Sequence, residues 1–210
     1  MNQPICYSYR RCPYAMRARM ALDYAGVEPH YREIKFSDKP PQMLAASPKG
    51  TVPVLVTQDN EILEESWDII RWALDIHDPE SWLPDCEAKR TAIDELVSLN
   101  DNEFKRSLDR YKYADRYPEL TVAQHRENGT WFLDRLEAEL ARNNWLLGDS
   151  LSAADIVVFP FIRQFSMVEP KWFATAPYPR TREWLERLIG SPRFQRIMEK
   201  RPVWDYENGE

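Results

Sequence analysis

Tyr9-Arg10-Arg11-Cys12-Pro13-Tyr14-Ala15 is the stretch that decides how this chain reads. Before it, Pro4-Ile5-Cys6-Tyr7-Ser8-Tyr9 is apolar and aromatic at close spacing, which predicts a short strand. Pro13 suits the first position of a helix, where its missing N–H costs nothing. Met16, Met20, Tyr24 and Ala25 then recur near helical spacing, and Gly26 supplies a stop. Cys12 therefore falls where a strand ends and a helix begins. Its sulfur is expected to face unpaired backbone N–H groups and the positive end of the helix dipole. Such a setting favours thiolate and lowers the pKa below its reference of about 8.5. Arg10 and Arg11 add to that field. The competing reading is an incidental cysteine on a loop.

Downstream, Pro29 to Phe36 predicts a second strand, so strand, helix and strand imply a right-handed parallel crossover. Lys39-Pro40-Pro41 opens an irregular or short helical piece that reaches Gly50. Thr51-Val52-Pro53-Val54-Leu55-Val56 is a β-branched run with proline near its head, a place strands tolerate. Gln58-Asp59-Asn60 turns it back into Glu61-Ile62-Leu63. Glu65-Ser66 precedes a buried-type helix carrying Trp67, Ile69, Ile70, Ala73, Leu74 and Ile76.

Residues 79–85, with two prolines and no periodicity, are the expected linker. It separates an α/β domain over 1–78 from an all-helical domain over 86–210. The helical part should hold long helices over about 86–113 and 121–143, then one after Ser152, one over about 178–189 and one after Pro192. Ser152 and Asp155 form a capping-box pattern and read as structural. Pro160 predicts a kink in the helix that follows.

Composition narrows the function classes. The 210 residues carry a net charge of −6. Residues 1–78 hold 9 basic and 11 acidic side chains, so charge is not segregated. No basic tract stands out, which argues against nucleic acid as a partner. Cys6, Cys12 and Cys86 are too few and too scattered for a disulfide framework. No Cys–His spacing suits zinc, and no metal is expected. The start of the chain lacks a basic and apolar leader. The longest apolar run, Ile156 to Ile162, is too short to span a bilayer. No membrane partner is expected, and a reducing cytoplasm is the expected compartment.

A βαβ–ββα unit followed by a helical half resembles the cytosolic glutathione transferase family. The resemblance covers nearly the whole chain. Cys12-Pro13-Tyr14-Ala15 is similar to the Cys-Pro-Phe/Tyr-Ala start of the omega-like class and to the Cys-Pro-Tyr-Cys of glutaredoxins. Thr51-Val52-Pro53 and Glu65-Ser66 resemble the family's Val-Pro and Glu-Ser elements. The resemblance implies a thioredoxin-like N-terminal domain, an all-α C-terminal domain and glutathione as co-substrate. It also implies a cis bond before Pro53, beside which Val52 would pair with glutathione as with an added strand. Ser66, at a helix start, would bind the γ-glutamyl carboxylate. Glu65 would accept from the γ-glutamyl ammonium, and Lys39 would reach the glycine carboxylate. Strand-start, capping and solvated-lysine roles compete with these assignments.

Ala15 stands where glutaredoxins have a second cysteine, so no disulfide can form within the motif. Neither Cys6 nor Cys86 is an obvious resolving thiol. Three functions follow. The first is monothiol exchange, a glutathione-dependent thiol transferase with Cys12 as nucleophile. The second is conjugation of glutathione to an electrophile. The third is a non-enzymatic interaction protein on the same fold. The second substrate is unknown; Tyr111, Tyr113, Trp131, Arg163 and Trp204 are candidates to line its cleft. The resemblance also implies a homodimer.

Overall fold

The computed structural model describes residues 3–208. By packing, the chain forms two compact units: residues up to Glu80 together with those from Pro192 onward, and Ser81–Ser191. The first break falls inside the 79–85 segment expected as a linker. The second places the end of the chain with the α/β unit, although its sequence reads as part of the helical one.

In the first unit, β1 (Ile5–Ser8) leads through Cys12 into α1 (Pro13–Tyr24), followed by β2 (His30–Glu33). A short α2 (Pro41–Ala46) precedes β3 (Val54–Val56), β4 (Ile62–Leu63) and α3 (Ser66–Ile76). The sheet order is β2-β1-β3-β4. β1 pairs parallel to β2, with Ser8 opposite Glu33, and antiparallel to β3, with Tyr7 opposite Val54. β3 and β4 are antiparallel. This is the expected thioredoxin-like arrangement.

Alternation along β1 sends Cys6 and Ser8 to one face and Tyr7 to the other. Arg19 of α1 donates to Ser8 Oγ at 2.5 Å, so α1 covers the Cys6 face. On the opposite face Tyr7 packs in one cluster with Ile34, Met43, Val52, Val54 and Trp204. Trp204 comes from the end of the chain. It arrives through α10 (Pro192–Ile197), whose Arg196 forms a two-pronged bond to the Asp23 carboxylate on α1, at 3.0 and 2.7 Å. Trp204 N–H then donates to Glu33 C=O at 2.8 Å, and Val203 bridges Glu33 in parallel. The tail thus extends the sheet beyond β2. A backbone pairing of this kind leaves little trace in a six-residue stretch with proline at its head.

The second unit is helical. α4 (Glu87–Leu99) runs through a π-helical turn (Asn100–Phe104) into α5 (Lys105–Lys112). This long rod carries the single helix expected over about 86–113. α6 (Val122–Leu140), α7 (Ala153–Ser166), α8 (Pro170–Thr175) and α9 (Pro179–Ile189) follow. Thr121 and Gln124 cap α6 reciprocally: Gln124 N–H donates to Thr121 Oγ1, and Thr121 N–H to Gln124 Oε1. A Cβ at Gly129 would come within 2.8 Å of the Phe165 ring, so glycine lets that ring of α7 lie against α6. Helix α8 is missed by periodicity because six residues give too little pattern. Among the described residues no helix is long and apolar enough to cross a membrane, and no cluster of three or more acidic, His or Cys side chains could hold a metal ion.

Asp155 organises this unit. It is fully buried, and its carboxylate accepts from Ser152 N–H (3.0 Å), Ser152 Oγ (3.1 Å), Leu146 N–H (3.0 Å) and Trp184 Nε1 (2.8 Å). Burial raises its pKa, and these donors oppose the rise. Removing the carboxylate strands several buried donors at once, each costing about 1–3 kcal/mol. Asp155→Ala should therefore lose roughly 3 kcal/mol or more of stability in urea unfolding. A loss below about 1 kcal/mol would show that the carboxylate is not the organising contact.

Candidate active site

Pairing of Tyr7 with Val54 brings the chain just past β1 alongside the residues just before β3. Cys12 is the residue that caps α1 (φ −73°, ψ 124°), with Pro13 at the first helical position. Its N–H donates to Tyr9 C=O at 3.0 Å, and its C=O accepts from Met16 N–H at 2.9 Å. The half-buried thiol donates to the Val52 carbonyl at an Sγ–O distance of 3.6 Å. The Val52–Pro53 bond is cis. The Val52 N–H has no hydrogen-bond partner among the described residues. Ionisation or capture of the sulfur removes the donor to Val52 C=O. Both polar groups of Val52 can then meet an extended peptide.

The other residues expected at the site have partners of their own. Lys39 lies along the loop leading to Val52: a Cβ on Gly50 would come within 3.1 Å of Lys39 Nζ, and Gly50 has φ +61°. The positive φ favours glycine there, and the flexible end of Lys39 could shift to admit a Cβ. Ser66 is the first residue of α3 and is buried, and its Oγ accepts from Arg17 Nε at 2.9 Å. The hydroxyl proton thereby stays available for an acceptor such as a carboxylate. Glu65 caps α3 from an extended conformation and is exposed. Its neighbour Glu64 is held by Ser47 Oγ at 2.5 Å, so Glu65 is the carboxylate left facing solvent.

Sequence reasoning missed three side chains at this site. Lys49 Nζ donates to Glu65 Oε1 at 2.8 Å, holding the position expected to receive an ammonium. Arg17 stands behind Ser66, and Arg19 behind the loop before Cys12. The signal for the two arginines is charge inside an otherwise apolar helix of Met16, Ala18, Met20, Ala21 and Leu22. Buried arginines almost always have dedicated partners.

The two other thiols are set apart. Cys6 is fully buried; burial pushes its pKa up to about 12, against the opposing pull of Arg19. It is a neutral packing residue at physiological pH. Cys86 is exposed and precedes α4.

The candidates for a second-substrate cleft fall in different settings. Tyr111 is 1% exposed and donates to Glu169 at 2.9 Å, beside Arg126, so it is a packing residue of the second unit. Tyr113 ends α5 with its ring next to Lys112 and Arg116. Trp131 is 36% exposed and meets Phe132 edge-on. Arg163 is partly buried near the end of α7, and burial lowers its pKa. Trp204 belongs to the core of the first unit.

The fold, the cis proline and the Glu65–Ser66 helix start define a thioredoxin-like site with an appended helical unit. Residues 7–82 match the glutathione S-transferase N-terminal domain, and 122–187 match the glutathione S-transferase C-terminal domain. The chain belongs to the glutathione S-transferase family. It is 27% identical to glutathione S-transferase 4 of Zea mays, covering 94% of this chain and 92% of that protein. It is 24% identical to the probable elongation factor 1-gamma 1 of Arabidopsis thaliana over 92% of this chain and 48% of that one, so it spans about half the length of the elongation factor relative. Among solved structures, the glutathione transferase URE2P6 of Phanerochaete chrysosporium, in complex with oxidised glutathione, superposes with a TM-score of 0.80 at 17% identity. That match covers 93% of this chain and 94% of the other.

If Glu65 receives the γ-glutamyl ammonium, Glu65→Ala removes a charge-assisted bond of about 1.5–3 kcal/mol. Glutathione affinity by calorimetry should fall roughly tenfold or more. Unchanged affinity would remove Glu65 from the site.

Proposed function

We propose that this protein is a glutathione-dependent thiol transferase of omega-like type, with Cys12 as its single nucleophile. The observation that carries this reading is the placement of Cys12 Sγ 3.6 Å from the Val52 carbonyl, at the start of α1 and beside cis-Pro53. A thiol there occupies the position from which it can attack the sulfur of an extended γ-glutamyl peptide lying along Val52.

The cycle has two exchanges. The Cys12 thiolate attacks the glutathionyl sulfur of a mixed disulfide, forms a Cys12–glutathione disulfide and releases the substrate as a thiolate. A second glutathione thiolate attacks the bound glutathionyl sulfur, regenerates the Cys12 thiolate and leaves as glutathione disulfide. Each step exchanges one S–S bond for another. Ala15 leaves no second thiol in the motif, Cys6 is buried and Cys86 belongs to the second unit, so in this reading an external thiol resolves the disulfide. Lys39, Val52, Glu65 and Ser66 hold the peptide in this reading. The protein acts as a homodimer in the cytoplasm, and light scattering should give about twice its 24.9 kDa mass. A value near the monomer mass contradicts the dimer.

A second reading draws on the likeness to elongation factor 1-gamma, which spans most of this chain. There the same fold would serve as an interaction module rather than a catalyst. Conjugation to an electrophile is disfavoured because the Cys12 thiolate competes for the electrophile and, once joined to glutathione by exchange with a disulfide, holds that sulfur out of conjugation.

Intact-protein mass spectrometry after incubation with glutathione disulfide separates these readings. One glutathionyl group, mapped to Cys12 and absent in Cys12→Ser, is expected, with exchange activity lost in the variant. An adduct on Cys86, with full exchange activity in Cys12→Ser, would overturn the mechanism.

A further inference from the structure

The loop Ser8–Arg11 presents Cys12, and the C=O groups of Ser8, Tyr9 and Arg10 and the N–H of Arg10 each have a specific partner. Ser8 C=O accepts from Ile34 N–H at 2.9 Å. Tyr9 C=O accepts from Cys12 N–H and from an Arg19 guanidinium nitrogen, at 3.0 and 3.4 Å. Arg10 C=O accepts from a second Arg19 nitrogen at 2.8 Å. Arg10 N–H donates to Glu33 Oε1 at 2.6 Å. Two side chains therefore fix this loop: Arg19 from behind, and Glu33 from the end of β2.

Glu33 also receives the tail. Its C=O accepts from Trp204 N–H at 2.8 Å, and Arg10 reaches the Met198 carbonyl at 3.5 Å. Three further contacts fasten the tail. Arg32 stacks on the Trp204 ring at 3.9 Å, Arg201 on Tyr31 at 4.1 Å, and Tyr206 donates to Asp38 at 2.9 Å. Trp204 enters the cluster that contains Val52, and Cys12 packs against that same cluster. The tail lies outside both matched domain segments, which end at residues 82 and 187.

We infer that Glu33 is a positioning residue for Cys12, and that the docked C-terminal segment, residues 198–206, completes the thiol site through it. Glu33 joins the two by one side-chain and one main-chain bond. Loss of the side-chain bond frees the Arg10 N–H and lets the loop shift Cys12 relative to Val52. Loss of the Trp204 ring takes a side chain out of the cluster that holds Val52 and loosens the segment whose main-chain N–H, which Trp204→Ala keeps, bonds Glu33 C=O. The inference rests on the reading of Cys12 as the reactive thiol, but its effect is measured on the sulfur itself rather than on turnover.

The test is the rate of Cys12 alkylation by iodoacetamide across pH, followed by peptide mass spectrometry on the full chain. Glu33→Ala should slow alkylation at neutral pH about fivefold, the factor carried by one ordinary hydrogen bond of ~1 kcal/mol, and should shift the pH profile. Glu33→Gln keeps an acceptor oxygen and should restore most of the rate, which a purely structural loss of charge would not produce. Trp204→Phe, which keeps an aromatic wall, should behave close to the native chain, and Trp204→Ala should resemble Glu33→Ala. Circular dichroism confirms that each variant is folded. A native rate and profile in folded Glu33→Ala and Trp204→Ala overturns the inference. If Cys12 alkylates no faster than Cys86 in the native chain, the reading of Cys12 as an activated thiol fails instead.

Discussion

The site depends on β1 being paired on both edges. Its parallel partner β2 and antiparallel partner β3 fix where the chain emerges after Ser8. The antiparallel register places that exit beside Val52, and the parallel register places it beside Glu33. A helix beginning at Pro13 then has only one way to leave the sheet. Cys12 is left at the junction, with its sulfur 3.6 Å from the Val52 carbonyl. A one-residue slip in β1 would exchange Cys6 and Tyr7 between faces and bury a tyrosine hydroxyl beneath α1. The register is therefore strongly specified by its own side chains.

Buried charge shapes the surroundings of the junction. Arg17 and Arg19 are each 1% exposed, yet both spend their guanidinium groups on the site. Arg17 steadies the Ser66 hydroxyl, and Arg19 holds two loop carbonyls and Ser8. Burial lowers the Arg19 pKa from its ordinary value, so its charge is maintained at a desolvation cost. What these two arginines bond to accounts for their burial. Lys49 acts differently: it is exposed and pairs with Glu65 at the surface, where such a pair contributes little and is readily displaced.

Much of this was legible in the sequence because it depends on local signals. Pro13 after Cys12 marks a helix start whatever packs around it. The Val52-Pro53 pair, the Asn60 turn (φ 64°) and the Ser152–Asp155 box are likewise readable within a few residues. What was hidden depends on distant partners. The return of residues 198–206 to β2 requires Glu33 as a template, and no periodicity in the tail announces it. The π-helical turn at Asn100–Phe104 leaves the apolar stripe of the rod nearly unbroken, so the sequence reads as one helix. Tyr111 reads as an aromatic for a cleft, but spacing cannot distinguish a ring facing a cleft from a buried ring whose hydroxyl bonds a carboxylate of its own unit.

The central claim is that glutathione lies along Val52 with its sulfur joined to Cys12. A crystal structure of the native chain grown with glutathione disulfide tests this most directly. The account predicts continuous density from Cys12 Sγ to a glutathionyl sulfur. It also predicts the peptide paired with Val52, its γ-glutamyl carboxylate at Ser66 and its ammonium at Glu65 in place of Lys49. Glutathione bound with its sulfur away from a free Cys12, or no glutathione at Val52, would contradict it.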